Sequence, residues 1–267
     1  MSGEATVELF VRDLGGEGRS PLVILHGLYG SSRNWVTVGR ALADRFHVLA
    51  ADLRNHGQSP HRADMRYPAL VADVLAALDR LGLERTELMG HSLGGKVAMA
   101  LACRAGERVR RLYVLDIAPR EYAPDAALLD ALLAVDLTGV ERRGEVDERL
   151  ADAIPDRELR MFLLTNLVRA GGRYTWQIDL RALRDAVPDI RANPLRADDR
   201  FAGPTLFLAG GRSGYVTADD RPAIERHFPR ARLAWLEGVG HNVHTEGGDA
   251  FVRAVFAAAG AAAGGAG

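Results

Sequence analysis

The feature that most constrains this fold is the alternation of short, mostly apolar segments with longer amphipathic ones. Segments of strand length occupy residues 21–25, 48–51, 86–89 and 111–115. Between them, apolar side chains recur at the spacing of one helix face in residues 35–46, 67–81 and 93–104. Strands that alternate with helices are typical of a mostly parallel sheet with helices on both sides. The sequence therefore predicts an α/β fold.

The alternation is interrupted in the middle of the chain, where we find no clear buried strand. Helical apolar patterns occupy residues 127–133, 157–168 and 182–187, before strand-like segments return at 204–208 and 233–236. A last helix is expected over residues 250–259. We therefore predict a core formed by residues 1–118 and 200–259, an all-helical insertion over 119–199, and a disordered Ala/Gly tail over 260–267.

A G-x-S-x-G motif at residues 90–94 lies between a predicted strand and a predicted helix. In that setting the serine occupies a sharp turn, which lifts its hydroxyl clear of the sheet. Flanking glycines let the strand and the helix approach each other, and the helix N-terminus places positive potential near a developing oxyanion. The motif predicts Ser92 as a nucleophile. Nearby Lys96 is expected to be a solvated or capping charge.

A base is needed because a serine hydroxyl is a poor nucleophile until its proton is removed. His241 follows the last predicted strand, and imidazole has a suitable pKa. His244 is the alternative. Because it comes three residues later, we expect it to lie on the next turn and to cap a helix or bond locally. The pattern favours His241.

The glycine-rich segment from His26 to Gly30 follows the first buried strand. Such a loop can present the backbone N–H of Leu28 to a substrate carbonyl oxygen, and the N–H of Leu93 would be the second donor. The alternative is a simple turn between strand and helix. We predict an oxyanion hole here because it would complete the site around Ser92.

Four segments of the chain resemble one family. They are residues 26–32 (HGLYGSS), 52–60 (DLRNHGQSP), 90–99 (GHSLGGKVAM) and 116–119 (DIAP). They are similar to the α/β-hydrolase superfamily, above all to its YbfF-like esterase branch, and the similarity extends over all but the Ala/Gly tail. The resemblance implies a mostly parallel eight-stranded sheet, a helical cap, and hydrolysis of carboxylic esters or thioesters, including acyl-CoA, without a cofactor.

The acid that supports the base is harder to assign. In most α/β-hydrolases it follows the strand that here ends at Leu208, but Ser213 stands in that position and cannot balance an imidazolium charge. In the YbfF-like branch it follows the preceding strand, which corresponds to Asp116. Because neighbouring strands lie about 4.8 Å apart, Asp116 can still reach His241, and Ser213 would add a hydrogen bond. Two later carboxylates remain alternatives, namely Asp219 and Asp220.

Three aromatic residues are candidates for contact with the acyl group, namely Tyr29, Phe162 and Trp176, and Trp176 could equally serve to pack the insertion. The net charge of −1 creates no general attraction for nucleic acid or anionic membranes. No segment reaches the length of a membrane span, and the N-terminus lacks a signal-peptide pattern. No histidine pairs with other ligands at metal-site spacing. We predict a cytoplasmic enzyme that acts on a small acyl ester without metal or cofactor.

Fold alone does not determine function, so two alternatives stay open. The first is another chemistry on the same fold, such as carbon–carbon bond hydrolysis or perhydrolysis. The second is a ligand-binding protein that retains the fold without turnover. The oligomeric state and the physiological substrate cannot be deduced from the sequence.

Overall fold

The sheet that organises the molecule contains seven strands, of which six run parallel. In this computed structural model, which describes residues 6–123 and 125–260, the strand order is β1-β3-β2-β4-β5-β8-β9, and only β1 is antiparallel to its neighbour. The strands are β1 (Val11–Asp13), β2 (Ser20–Leu25), β3 (Phe46–Ala51), β4 (Thr86–His91), β5 (Val109–Leu115), β6 (Leu167–Ala170), β7 (Arg173–Trp176), β8 (Thr205–Gly210) and β9 (Ala231–Leu236). Strands β6 and β7 form a separate small sheet.

Helices cover both sides of the sheet, as the sequence predicted. They are α1 (Val36–Leu42), α2 (Tyr67–Arg80), α3 (Leu93–Arg104), α4 (Ala127–Ala134), α5 (Arg143–Leu150), α6 (Arg157–Leu163), α7 (Leu180–Asp185), α8 (Val187–Arg191), α9 (Arg221–His227), α10 (Val243–Glu246) and α11 (Gly248–Gly260). Apolar residues of α1 and α11 form one core, and those of α2 and α3 belong to the other. Central strands are therefore buried on both faces, which explains their continuous apolar segments.

The described part of the segment between β5 and β8 holds five α-helices and also an antiparallel hairpin. The prediction of an all-helical insertion is therefore wrong for residues 167–176, where β6 pairs with β7. Gly171 and Gly172 connect the two strands with φ of 56° and 80°. A two-residue turn with positive φ at both positions matches the twist of a hairpin, so this glycine pair closes β6 and β7 where we had expected a helix to end.

The expectation of eight strands is also wrong within the described ranges, where the main sheet has seven. In the described residues before β1, where a further strand could pair, two backbone N–H groups donate to side chains instead. The N–H of Val7 donates to Oδ1 of Asp73 at 2.8 Å, and the N–H of Phe10 donates to Oγ of Ser59 at 2.9 Å. These donors cannot then serve a strand ladder.

The C-terminal helix runs to Gly260, where the sequence had suggested that the Ala/Gly tail begins. The rest of that tail lies outside the described residues. Among helices in the described ranges, none combines the length and apolar character that crossing a bilayer requires.

Candidate active site

Ser92 occupies the sharp turn between β4 and α3, with φ of 51° and ψ of −115°. Positive φ is uncommon for a residue with a side chain, so this backbone is strained and is held by its surroundings. The two flanking glycines explain how. A Cβ on Gly90 would lie 2.2 Å from the carbonyl oxygen of Gly94, and a Cβ on Gly94 would lie 2.4 Å from that of Leu25. Strand and helix can approach this closely only without those side chains.

Asp116 and His241 meet beside this turn, at the ends of two different strands. Nδ1 of His241 lies 2.7 Å from Oδ2 of Asp116, whose side chain is completely buried. Oδ1 of Asp116 accepts the backbone N–H of Gly210 at 2.9 Å, and the hydroxyl of Ser213 donates to Oδ2. The carboxylate thus accepts three hydrogen bonds, and the structure brings together the predicted acid, the predicted base and Ser213.

The two alternative carboxylates have other partners or face solvent. Oδ2 of Asp220 accepts the backbone N–H of Thr217 at 2.9 Å, and its Oδ1 pairs with Arg120 at 2.8 Å. Asp219 is exposed on the same turn. Neither contacts His241 in the described structure.

Ser92 and His241 line the same cavity, of about 320 Å³. Among the described residues no hydrogen bond joins their side chains. Such bonds often tighten only when substrate is bound. The backbone carbonyl of His241 is held by Nε2 of His91, the residue before Ser92, at 2.9 Å. The ring of Tyr215 stacks on that of His241 with a centroid distance of 4.0 Å. Nothing in the sequence singled out Tyr215.

The cavity wall is mostly apolar and joins the core to the insertion. Tyr29 and Phe162, two of the residues predicted to contact substrate, line it together with Leu128, Leu159, Ile117 and Ile190. Trp176 does not line the cavity, which agrees with the packing role that the sequence left open for it. It lies on β7 opposite Leu167 and packs against the core of the insertion instead.

Leu28 and Leu93, the predicted oxyanion donors, both line the cavity. Neither backbone N–H donates a hydrogen bond elsewhere in the described ranges. A hydrogen bond stabilises the loop that carries Leu28, since Nε2 of His56 lies 2.5 Å from the Leu28 carbonyl oxygen. Two N–H groups without other acceptors, on residues that line the same cavity as Ser92, are consistent with the predicted oxyanion hole.

Two further cavity residues differ in part from their predictions. Lys96 is buried rather than solvated, with 2% of its surface exposed, but its ammonium group does cap a helix, because it donates to carbonyl oxygens at the C-terminal end of α8. His244 lies within α10 and stacks on Trp35 at 4.1 Å. Its Nδ1 is buried without a hydrogen-bond partner, so it neither caps a helix nor bonds locally through that atom. In the described ranges, no group of three or more His, Cys, Asp or Glu side chains is placed to hold a metal ion.

The comparisons with known proteins agree with this geometry. Residues 20–138 match the family model described as the alpha/beta hydrolase fold. Esterase YbfF of Escherichia coli K12 is 34% identical over 88% of this chain and 91% of its own length. The chain belongs to the α/β-hydrolase family. Another relative, the sn-1-specific diacylglycerol lipase ABHD11 of Xenopus laevis, is 37% identical over 88% of this α/β-hydrolase and 78% of its own length.

A solved structure supports the same placement. The structure of a marine microorganism esterase has a TM-score of 0.91 and 36% identity, and the match covers 94% of this chain and 99% of that one. By sequence and structure, this α/β-hydrolase is thus similar to proteins named as esterases.

We expect His244 to make the stability of this α/β-hydrolase depend on pH. Burial, and secondly the nearby His241, lower the pKa of His244 from 6.5 to about 3. Between these values the unfolded chain binds a proton that the folded chain does not, so stability falls as the pH drops through this window. The variant His244→Phe keeps an aromatic ring on Trp35. It should flatten the dependence by about 1.4 kcal/mol per pH unit below 6.5.

Urea unfolding of wild type and His244→Phe at about pH 4.5, 5.5 and 7 measures this slope. The control is His61→Phe, because His61 is exposed. Equal slopes in wild type and His244→Phe would contradict the prediction.

Proposed function

We propose that this α/β-hydrolase is a carboxylesterase that works through an acyl-enzyme intermediate, with Ser92 as nucleophile. The observation that carries the proposal is the 2.7 Å contact between His241 and the buried Asp116, beside a cavity that the strained Ser92 also lines. A histidine oriented by a carboxylate, next to a serine, is the arrangement that activates a hydroxyl for attack.

The proposed reaction begins when the Ser92 hydroxyl attacks the ester carbonyl carbon while its proton passes to Nε2 of His241. The carbonyl oxygen becomes an oxyanion, which the N–H groups of Leu28 and Leu93 stabilise. His241 then returns the proton to the departing alcohol, and an ester of Ser92 remains. Water, deprotonated by His241, attacks this acyl group, and the proton passes back to Ser92 as the carboxylic acid leaves.

Asp116 has a defined part in both half-reactions. Because it accepts a hydrogen bond from Nδ1 of His241, it keeps that proton on Nδ1 and leaves Nε2 free to accept the proton of Ser92. Its negative charge also stabilises the imidazolium that forms during each attack. Ser213 and the N–H of Gly210 hold the carboxylate in place.

The substrate class follows from the cavity and from the relatives. The cavity has a volume of about 320 Å³ and a mostly apolar wall, which suit an acyl chain of short to medium length. The similar proteins are named as an esterase and as a diacylglycerol lipase. We extend the proposal to thioesters such as acyl-CoA, because the same attack on a carbonyl carbon releases a thiol. A cytoplasmic location and the lack of a nucleic-acid partner stay predictions.

A substrate panel tests this function. Nitrophenyl esters and acyl-CoA thioesters with acyl chains of graded length are assayed with purified protein, alongside labelling by a fluorophosphonate probe. We expect ester hydrolysis and covalent labelling. Labelling and hydrolysis that are both absent would favour the ligand-binding alternative. Cleavage of a ring-fission product without any ester hydrolysis would instead favour a carbon–carbon bond hydrolase.

We further propose that residues 119–199 act as a cap that sets acyl preference, and the same panel tests this with two variants. Phe162 on α6 lines the cavity, whereas Trp176 does not. Phe162→Ala should therefore shift the ratio of kcat/KM between long and short esters by about tenfold towards the longer chain, since it enlarges an apolar pocket. Trp176→Ala, the matched control, should leave this ratio within about twofold. Equal shifts in both variants would mean that the cap selects by another route.

A further inference from the structure

Lys96 is the only lysine in a chain with 34 basic Lys and Arg residues. It lies one turn into α3, the helix that begins just after Ser92. Its side chain is buried and lines the cavity. Arginine serves at every other basic position, so a requirement specific to an ammonium group would explain why lysine stands here.

The ammonium group reaches the carbonyl end of α8, in the insertion. Nζ of Lys96 lies 2.7 Å from the carbonyl oxygen of Ala192, 2.9 Å from that of Arg191 and 3.4 Å from that of Ile190. Carbonyl groups at a helix C-terminus lack partners within the helix and carry negative partial charge. The cation therefore helps to satisfy the end of α8, together with the Tyr67 hydroxyl, which donates to the Ile190 carbonyl at 2.6 Å, and it joins the insertion to the helix that follows Ser92.

The geometry of this contact fits lysine better than arginine. An ammonium group is compact and has three donors that can point at three consecutive carbonyl oxygens. A guanidinium group is planar and larger, and its donors form a fork suited to carboxylates. Substitution by arginine would keep the charge but not the arrangement of donors.

The same helix end connects to the predicted catalytic residues. The N–H of Tyr122 donates to the Arg191 carbonyl at 2.9 Å. The hydroxyl of Tyr122 accepts the N–H of Ala118 at 2.9 Å and donates to the Tyr215 carbonyl at 2.6 Å. Because the ring of Tyr215 stacks on His241, the position of α8 is coupled to the base through two residues, Tyr122 and Tyr215.

We propose that Lys96 is a positioning residue whose ammonium group docks α8 onto α3 and so sets the wall of the acyl cavity beside Ser92. This inference rests on the proposed ester hydrolysis. The step it affects is substrate binding, because Lys96 holds Ile190 and Arg191, which line the cavity. Its loss should therefore act on KM more than on kcat.

The charges around Lys96 bear on the strength of this contact. Burial, followed by the positive charges of Arg191 and Arg120, lowers the pKa of Lys96 to about 7, and Glu121 opposes the shift. The face of Tyr122 lies 4.8 Å from Nζ and favours the cation. When the pH rises through this pKa, the amine keeps two protons for three carbonyl oxygens. The docking contact should therefore weaken as the pH rises.

Because the chain has one lysine, its side chain can be observed directly. Full-length protein with ¹³C-labelled lysine should give one set of side-chain signals from Lys96. We expect this signal to titrate well below pH 10.5, the ordinary value for lysine, and to move when a fluorophosphonate occupies the cavity. A signal that titrates near 10.5 and ignores the inhibitor would place the ammonium group in solvent and overturn the proposal.

Kinetics of Lys96→Met give the second readout. The variant keeps side-chain length but removes the donors and the charge, so KM for the longest ester that wild type hydrolyses should rise about tenfold, and kcat should fall less. The control is Arg104→Met. Arg104 lies on the same helix and donates to the Pro194 carbonyl at 3.4 Å, but it does not line the cavity. Its KM should match wild type.

The possible outcomes separate clearly. Equal effects of Lys96→Met and Arg104→Met, or an effect on kcat alone, would reduce Lys96 to a structural residue. If Lys96→Met does not fold, Lys96→Arg takes its place: the charge supports folding, and KM should still rise. A wild-type KM in Lys96→Arg would overturn the proposal. If wild type hydrolyses no ester, the proposed function fails, while the lysine titration still decides whether Lys96 docks α8.

Discussion

Ser92→Ala is expected to lower ester hydrolysis by about 10⁶-fold while leaving the fold intact. The reason is that no other hydroxyl stands at the strained turn between β4 and α3, where φ is 51°. Alanine differs from serine only by the hydroxyl, and it tolerates this backbone no worse than serine does. The remaining rate would come from binding and from the N–H groups of Leu28 and Leu93, which the substitution does not touch.

The measurement is kcat for the best ester in the substrate panel, with far-ultraviolet circular dichroism and the unfolding midpoint as checks on the fold. Fluorophosphonate labelling should disappear together with turnover. A natural control is Ser213→Ala, which removes a hydroxyl from the same site. It should lose much less activity because it removes one hydrogen bond and no reacting group. Near-wild-type hydrolysis by pure Ser92→Ala would end the proposal of a serine nucleophile.

Asp116→Asn should lower kcat by about 10⁴-fold, the second largest effect expected. Asparagine keeps the size of aspartate, but its amide can donate to Nδ1 of His241 and so favour the wrong tautomer. It also removes the charge that balances the imidazolium. In the wild type, Oδ2 of Asp116 accepts hydrogen bonds from both Nδ1 of His241 and the hydroxyl of Ser213. The substitution therefore disturbs two contacts at one atom.

Two comparisons sharpen this test. Asp219→Asn should retain nearly full activity, because Asp219 is exposed and makes no contact with His241. Ser213→Asp in the Asp116→Asn background should restore part of the lost rate. The hydroxyl of Ser213 already touches Oδ2 of Asp116, so a carboxylate at position 213 starts close to the vacated charge. A silent Asp116→Asn with an inactive Asp219→Asn would move the acid to the later loop.

Local patterns predicted the parallel strands of the main sheet and the turn at Ser92, but not the short antiparallel β1. The apolar segments of the central strands and the glycines at 90 and 94 act through residues that are neighbours in the sequence. The backbone geometry that these glycines permit is therefore readable from the motif itself. The choice of Asp116 over the later carboxylates required the resemblance to a family. Spacing along the chain says only that the loops after β5 and β8 both begin at the same edge of the sheet.

In the insertion, the periodicity of apolar residues predicted the wrong secondary structure. Periodicity in residues 157–168 suggested a continuous helix, but α6 ends at Leu163 and the chain turns into β6. The glycine pair at 171–172 was the available signal for a hairpin. Trp176 could be assigned from the sequence either to the cavity or to packing, and its position on β7 opposite Leu167 places it in the packing of the insertion.

Only the tertiary structure decided which distant groups meet. Lys96 reads as a surface charge on a helix, yet it is buried because α8, about 95 residues later, presents three carbonyl oxygens to it. Tyr215 belongs to no recognised motif. Its ring stacks on His241 because the loops after the neighbouring strands β8 and β9 lie side by side. A sequence pattern specifies the conformation of near neighbours and which face of an element is apolar. Contacts between separate elements depend on how those faces pack. Packing brings together residues that are far apart in the sequence, and a local pattern carries no information about such pairs.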